Sequence, residues 1–133
     1  MAKSIILDTA PRILLGLLFL VFGIDGFIDI FTGQPLLVPP VSEAGGQFVG
    51  ALKESGFVWP LMKAIYLVAA FCLLTNKAPA LAVALLAPII TVIVLFHVVL
   101  NPGGIPIAII LIVLSSLVFF KNRDKFKPLF SNS

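Results

Sequence analysis

The stretch ALAVALLAPIITVIVLFHVVL, residues Ala80 to Leu100, decides the fold of this chain. Its 21 residues include one titratable side chain, His97. At a rise of about 1.5 Å per residue, a helix of this length crosses the ~30 Å hydrocarbon core of a bilayer. Placing a charged side chain at that depth costs roughly 2.5 to 3.5 kcal/mol. We therefore expect a membrane-spanning helix in which His97 faces protein or water rather than lipid.

The composition of the whole chain agrees with this local pattern. Hydrophobic residues make up 60% of the sequence and charged residues only 11%, and the mean hydropathy is +1.18. These values lie far outside the range of soluble globular domains. A chain of 133 residues has room for about four spans and short connections. We expect an integral membrane protein with a single transmembrane domain over residues 1–133.

Working outward from this stretch, three more apolar runs predict three more spans. The first begins at Pro11, a residue favoured in the first turn of a helix. Lys3 and Arg12 flank it as they would flank a signal peptide, but no A-x-A cleavage motif follows, so we expect the span to be retained. The four predicted spans are residues 11–31, 57–75, 80–100 and 105–120.

The connection between the first two spans is long, at about 25 residues, and connections of that length often carry function. Proline and glycine punctuate residues 32–56. Within them, residues 47–55 favour a short helix, because Phe48, Val49 and Leu52 fall on one side of it. Such a helix is typical of the membrane interface.

Positive charges predict the orientation of the spans. With the N-terminus inside, seven of the nine cations lie on the cytoplasmic side, as the positive-inside rule requires. These seven are Lys3, Arg12, Lys77, Lys121, Arg123, Lys125 and Lys127, whereas Lys53 and Lys63 lie outside or at the outer edge. The fold class is therefore all-α membrane: a four-transmembrane-helix antiparallel bundle with a short interfacial helix in the first loop and both termini cytoplasmic.

Five polar side chains converge at one depth in this arrangement. Asp25 and Asp29 share one face of the first helix because they are four residues apart. Asp25 lies about 9 Å below the outer end of that helix, and His97 about 5 Å below the end of the third. Lys63 and Tyr66 descend about 9 and 13 Å from the start of the second helix. We take these five residues as a candidate polar pocket in the outer half of the membrane.

Two interpretations of this pocket remain open. In the functional one, His97 and a carboxylate exchange protons with a redox-active or acidic small molecule. In the structural one, Lys63 pairs with Asp25 or Asp29, and His97 bonds to a backbone carbonyl or to Tyr66, which holds the bundle together without chemistry.

Several functions are disfavoured by the sequence. The single cysteine, Cys72, cannot carry dithiol exchange alone. No metal or haem ligand set accompanies the one histidine, and no nucleotide-binding or hydrolase motif is present. The cationic tail favours anionic lipid as a partner over nucleic acid.

The order of several motifs resembles the DoxX family over most of the chain. The opening helix RILLGLLFLVFGIDGF, Arg12 to Phe27, is similar to the family's first signature. Further similar positions are Gln47, Phe48, Ala51, Leu52, Ser55 and Gly56 in the loop, Leu86 to Ile89, Leu95 to His97 and Asn101 to Gly103 around the third helix, and Phe126, Pro128, Leu129 and Phe130 at the end. Tyr66 stands where relatives commonly have Glu, and Asp25 where they often have Asn, so acidity differs between the helices.

The resemblance implies a small protein of a bacterial-type inner membrane that belongs to a quinone-linked redox complex. It implies at most an accessory subunit of an oxidoreductase, with the cofactor left unassigned and quinone as one candidate, and with other subunits or a second copy as partners. The competing hypothesis is a non-catalytic structural subunit. A third is a small-molecule carrier, which would need a dimer because four spans are few for alternating access.

Overall fold

The computed structural model describes residues 5–131, and every regular element in that range is helical. Five α-helices account for most of it: α1 (Ala10–Thr32), α2 (Glu43–Glu54), α3 (Val58–Thr75), α4 (Pro79–Leu95) and α5 (Ile105–Lys121). The π-helical segment Ile5–Thr9 precedes α1, the π-helical segment Phe96–Leu100 continues α4, and short 3₁₀ segments flank α5. Lys3, one of the cations used to predict orientation, lies outside the described residues.

The prediction of four apolar helices long enough to cross a membrane is confirmed. They are Ile5–Thr32, Val58–Thr75, Pro79–Leu100 and Pro102–Lys121. The first extends further than residues 11–31, since the π-helical segment is continuous with α1 and Pro11 lies within its first turn. Gly33 ends α1 with a φ of +82°, and its N–H donates to the Asp29 carbonyl at 2.8 Å, a C-terminal arrangement that glycine adopts without steric cost.

The helix in the first loop begins four residues earlier than residue 47, where the sequence predicts it. Ser42 caps it: its hydroxyl accepts the Gly45 N–H at 3.0 Å and donates to the Leu100 carbonyl. The Ser42 N–H also donates to Asn101 Oδ1 at 3.0 Å. The cap therefore starts the helix at Glu43 and carries it through the two glycines that the sequence suggested would be loop.

The core lies where α1 and α3 meet, and α4 and α5 complete it. Leu15, Ala69, Ala70 and Leu73 are fully buried there. Small residues allow this approach: a Cβ added to Gly23 would meet the Leu67 side chain at 2.7 Å. Since lipid is as apolar as leucine, close packing of small residues is what holds such helices together.

Candidate functional site

One face of α3 presents three hydrogen-bond donors toward α1. Trp59, Lys63 and Tyr66 follow each other at i, i+4 and i+7, so they lie on the same side of the helix. Gly26 of α1 makes room for them, because a Cβ at that position would lie 2.3 Å from Cγ and Cδ of Lys63. The ring of Phe19 meets Tyr66 edge-on, with 4.8 Å between centroids.

Lys63 is the least expected of these three donors. The residue is only 7% exposed, although lysine is almost never fully buried without a partner. Its Nζ lies 4.5 Å from the centroid of the Trp59 ring and 4.7 Å from that of Tyr66. Within residues 5–131 it makes no ion pair and no hydrogen bond. Two cation–π contacts, worth about 0.5 to 2 kcal/mol each, are therefore its only direct polar interactions.

The two neighbouring donors are also unused. The indole Nε1 of Trp59 is buried and has no hydrogen-bond partner. The Tyr66 side chain is 5% exposed, and its hydroxyl bonds to no other described group. A buried donor left unsatisfied, as Trp59 Nε1 is, costs about 1 to 3 kcal/mol. We call Trp59, Lys63 and Tyr66 the donor face, and residues 5–131 offer it no acceptor.

Asp29 bonds across to the loop helix instead of to Lys63. Its Oδ2 lies 2.9 Å from Nζ of Lys53, and the two side chains are 11% and 39% exposed. The same Lys53 Nζ sits 5.0 Å from the Trp59 centroid, so the indole ring contacts the cations of both lysines. This ion pair fastens α2 to α1 beside the donor face.

Asp25 is engaged with the backbone that follows α1. Its Oδ1 accepts the N–H of Leu36 at 2.7 Å and that of Leu37 at 3.0 Å. Such charge-assisted bonds hold the proline-containing segment after α1 against the helix. Both carboxylates are therefore occupied elsewhere, and the predicted ion pair between Lys63 and Asp25 or Asp29 is absent among residues 5–131.

His97 makes no hydrogen bond, ion pair or ring contact with the other four candidates among residues 5–131. Its Nδ1 is 2.9 Å from the Ile93 carbonyl oxygen, and since a carbonyl only accepts, Nδ1 is the donor in this bond. The ring meets Phe96 edge-on at 5.0 Å, and a Cβ on Gly104 would lie 2.0 Å from its Cδ2. The bond to a backbone carbonyl is the one that the structural interpretation predicts for His97.

Two residues of the site were missed by sequence reasoning. Trp59 and Lys53 are not among the five candidates that the sequence offers for the polar pocket. The spacing of Trp59 and Lys63, four residues apart on one helix, was the signal that could have joined the first to the site. Nothing in the sequence indicated that α2 would bring Lys53 to the same ring.

A crevice away from the donor face also occurs in the structure. It measures about 450 Å³ and opens between α4 and α5. Three hydroxyls line it among apolar side chains, and two of them are turned to their own helices: Thr91 donates to the Ala87 carbonyl at 2.8 Å and Ser115 to that of Leu111 at 2.6 Å. No group of three metal-ligating side chains occurs in the described part of the chain.

Fold and site together define a class. Four helices with the length and composition to cross a membrane make this a multi-pass membrane protein. Comparison with protein-family models, with curated proteins and with solved structures finds no match to this chain.

Proposed function

We propose that this chain is a DoxX-like protein of a bacterial-type inner membrane, and that it serves as a small subunit of a quinone-linked redox complex. The donor face on α3 carries the proposal, because Trp59, Lys63 and Tyr66 offer three donors that find no acceptor in the described part of the chain. A quinone ring presents two carbonyl oxygens, which only accept. The ligand and the donor face are therefore complementary.

Binding is favoured when Lys63 exchanges its contact with the Trp59 ring for a hydrogen bond to a quinone oxygen. To reach a quinone oxygen, the Lys63 ammonium leaves the Trp59 ring, where its contact is worth about 0.5 to 2 kcal/mol. In return it forms a charge-assisted hydrogen bond worth about 1.5 to 3 kcal/mol. The Trp59 N–H, which has no partner among the described residues, gains an acceptor when it donates to the second quinone oxygen.

The positive charge of Lys63 gives the site a redox consequence. An ammonium beside the quinone stabilises the negative charge that develops on the oxygens during reduction. In this proposal the electrons come from a partner protein of the complex, and the chain contributes binding and electrostatics. Phe19 and Tyr66 are both buried beside Lys63, and burial strengthens such an attraction.

The proposal includes an antiparallel four-helix bundle with both termini cytoplasmic. Arg12 at the start of α1 donates to the carbonyl of Leu73 near the end of α3, and Asp8 lies 3.3 Å from Lys121 at the end of α5. These two contacts support alternating helix directions. An interfacial position for α2 is supported by its apolar contact with α4's extension, where the rings of Phe48 and Phe96 are 5.7 Å apart.

A structural accessory subunit is the second candidate, and the links from α1 to the first loop favour it. Asp29 bonds to Lys53 and Asp25 to the backbone of Leu36 and Leu37. The substitution Lys63→Met separates the two functions, since it keeps the packing on Gly26 and removes the charge. If Lys63 serves a ligand, this variant melts at the wild-type temperature or above, because an unpaired buried cation is costly. If Lys63 serves structure, the variant melts lower.

Photolabelling tests the binding itself. An azide-bearing ubiquinone analogue, applied to the full chain in membranes, is expected to label a peptide within Val58–Thr75 and to be displaced by unlabelled quinone. Lys63→Met is expected to lose most of this labelling. Lys77→Met is the matched control, since Lys77 is exposed in the turn after α3. Equal labelling of both variants would overturn the assignment.

A further inference from the structure

A second polar site lies at the opposite end of α3. A cleft of about 340 Å³ opens where the beginning of α1 meets the ends of α3 and α5. Ten residues separate Lys63 from Leu73, which places the cleft about 15 Å along the helix from the donor face. The cleft is lined by Asp8, Thr9, Arg12, Asn76, Val118, Lys121 and Asn122.

Arg12 is the main charge of this cleft and has no counter-ion among the described residues. It is half-buried, and one of its N–H groups donates to the carbonyl of Leu73. A guanidinium carries five N–H donors, so most of its fork remains unused. Arg12 forms no ion pair in the stretch from residue 5 to residue 131. A guanidinium group whose N–H donors are mostly unused is suited to bidentate binding of a tetrahedral anion.

The other lining groups add positive charge and donors. Lys121 lies 3.3 Å from Asp8, so that pair is close to neutral. The Asn76 side chain bonds to no other described residue, and its amide is therefore available. Lys77 and Arg123 adjoin the lining in sequence. The ends of α3 and α5 each contribute about half a negative charge, which the three remaining cations, Arg12, Lys77 and Arg123, outweigh.

The position of the cleft at the ends of apolar helices indicates which kind of molecule would supply the anion. Lys121 ends the apolar helix α5 and Asn76 follows the apolar helix α3, so the cleft lies at the boundary where lipid phosphates lie. We propose that it binds the phosphate group of an anionic lipid, with Arg12 on the phosphate oxygens and Lys121 and Asn76 beside them. This site is independent of the quinone proposal.

Native mass spectrometry of the full chain tests the site. The protein is released from nanodiscs containing phosphatidylcholine and phosphatidic acid in equal amounts, and retained lipid is counted. The wild type is expected to retain phosphatidic acid preferentially, and Lys121→Gln to lower that retention at least fivefold. Lys127→Gln is the matched control, because Lys127 also pairs with an aspartate, Asp124, at 3.0 Å but lines no part of this cleft.

Each outcome has a definite meaning. An equal fall in phosphatidic acid retention for Lys121→Gln and Lys127→Gln would show general attraction to the cationic tail and would overturn the site. Equal retention of phosphatidic acid and phosphatidylcholine by the wild type would also overturn it. A second experiment distinguishes a lipid phosphate from phosphate in solution: millimolar inorganic phosphate is added before the protein is released from the nanodiscs. If it displaces the lipid from wild type, the site takes phosphate from solution, and the lipid assignment is wrong. If the lipid stays bound, the headgroup is the ligand.

Discussion

Gly26 and Lys63 fit together across the contact of α1 and α3: a Cβ on Gly26 would lie 2.3 Å from Cγ and Cδ of Lys63. The stem of the lysine fills the place of the missing side chain. This fit positions Nζ over the rings of Trp59 and Tyr66. The glycine of one helix therefore positions the cation of the other.

Gly26→Ala tests this fit. The added methyl group forces the Lys63 stem to move or the helices to separate, and overpacking of this kind costs about 1 to 3 kcal/mol. We expect a lower melting temperature in detergent and weaker binding of a quinone analogue. Gly50→Ala is the matched control, since a Cβ there meets nothing within 4 Å, and alanine favours a helix over glycine by about 1 kcal/mol. Equal effects of the two substitutions would contradict the fit.

Asp25 is expected to hold the segment after α1 in place. In Asp25→Ala the N–H groups of Leu36 and Leu37 lose their acceptor, so their hydrogen exchange should accelerate by tenfold or more. Asp25→Asn keeps an oxygen at the same position and should accelerate exchange much less. Hydrogen exchange measured by mass spectrometry on peptides covering residues 33–42 checks both. Unchanged exchange in Asp25→Ala would mean that the two bonds do not hold the segment.

The Lys53 and Asp29 pair should couple only modestly. Because the Lys53 side chain is 39% exposed, solvent screens the attraction, and a double-mutant cycle with Lys53→Gln and Asp29→Asn should give about 0.2 to 1 kcal/mol. Thermal unfolding of the four proteins measures it. A coupling of several kcal/mol would show that the pair is far better shielded from water than its exposure indicates.

Asp124, beyond the last span, provides a pH prediction. A hydrogen bond from Lys127, aided by the charge of that lysine, lowers the pKa of Asp124 below its ordinary value of 3.8. The stabilising contribution is therefore present above the unfolded pKa and is lost as pH falls through the lower folded pKa. NMR titration should show a depressed midpoint that Lys127→Gln returns toward 3.8. An unchanged midpoint in the variant would assign the shift to another group.

The fold was more predictable than the site, for physical reasons. Apolar run length alone identifies four membrane-crossing helices, because a bilayer imposes a minimum length. Depth along the helices placed Asp25, Asp29, Lys63, Tyr66 and His97 in one layer, but depth contains no information on rotation about each helix axis. The rotation of a helix about its axis decides which groups its side chains contact. In the structure Asp25 bonds to the backbone of the first loop and His97 to a carbonyl of its own helix.

The start of the loop helix α2 was also difficult to predict, because it depends on contacts with another helix. The Ser42 cap involves the Leu100 carbonyl and the Asn101 side chain, which are far away in sequence. No local pattern reveals such partners, so the start of α2 was predicted too late. Lys53 was missed as a site residue for the same reason, because only the docked helix brings it to Trp59.

Quenching of Trp59 fluorescence by quinone tests the central claim most directly. Trp59 is the only tryptophan of the chain, and its ring contacts the Lys63 cation, so the signal arises within the proposed site. Titration of the purified protein with a ubiquinone analogue should give saturable quenching, with Lys63→Met weakening the affinity about tenfold and Lys77→Met leaving it unchanged. Quenching that rises linearly without saturation, and equally in all three proteins, would contradict the account.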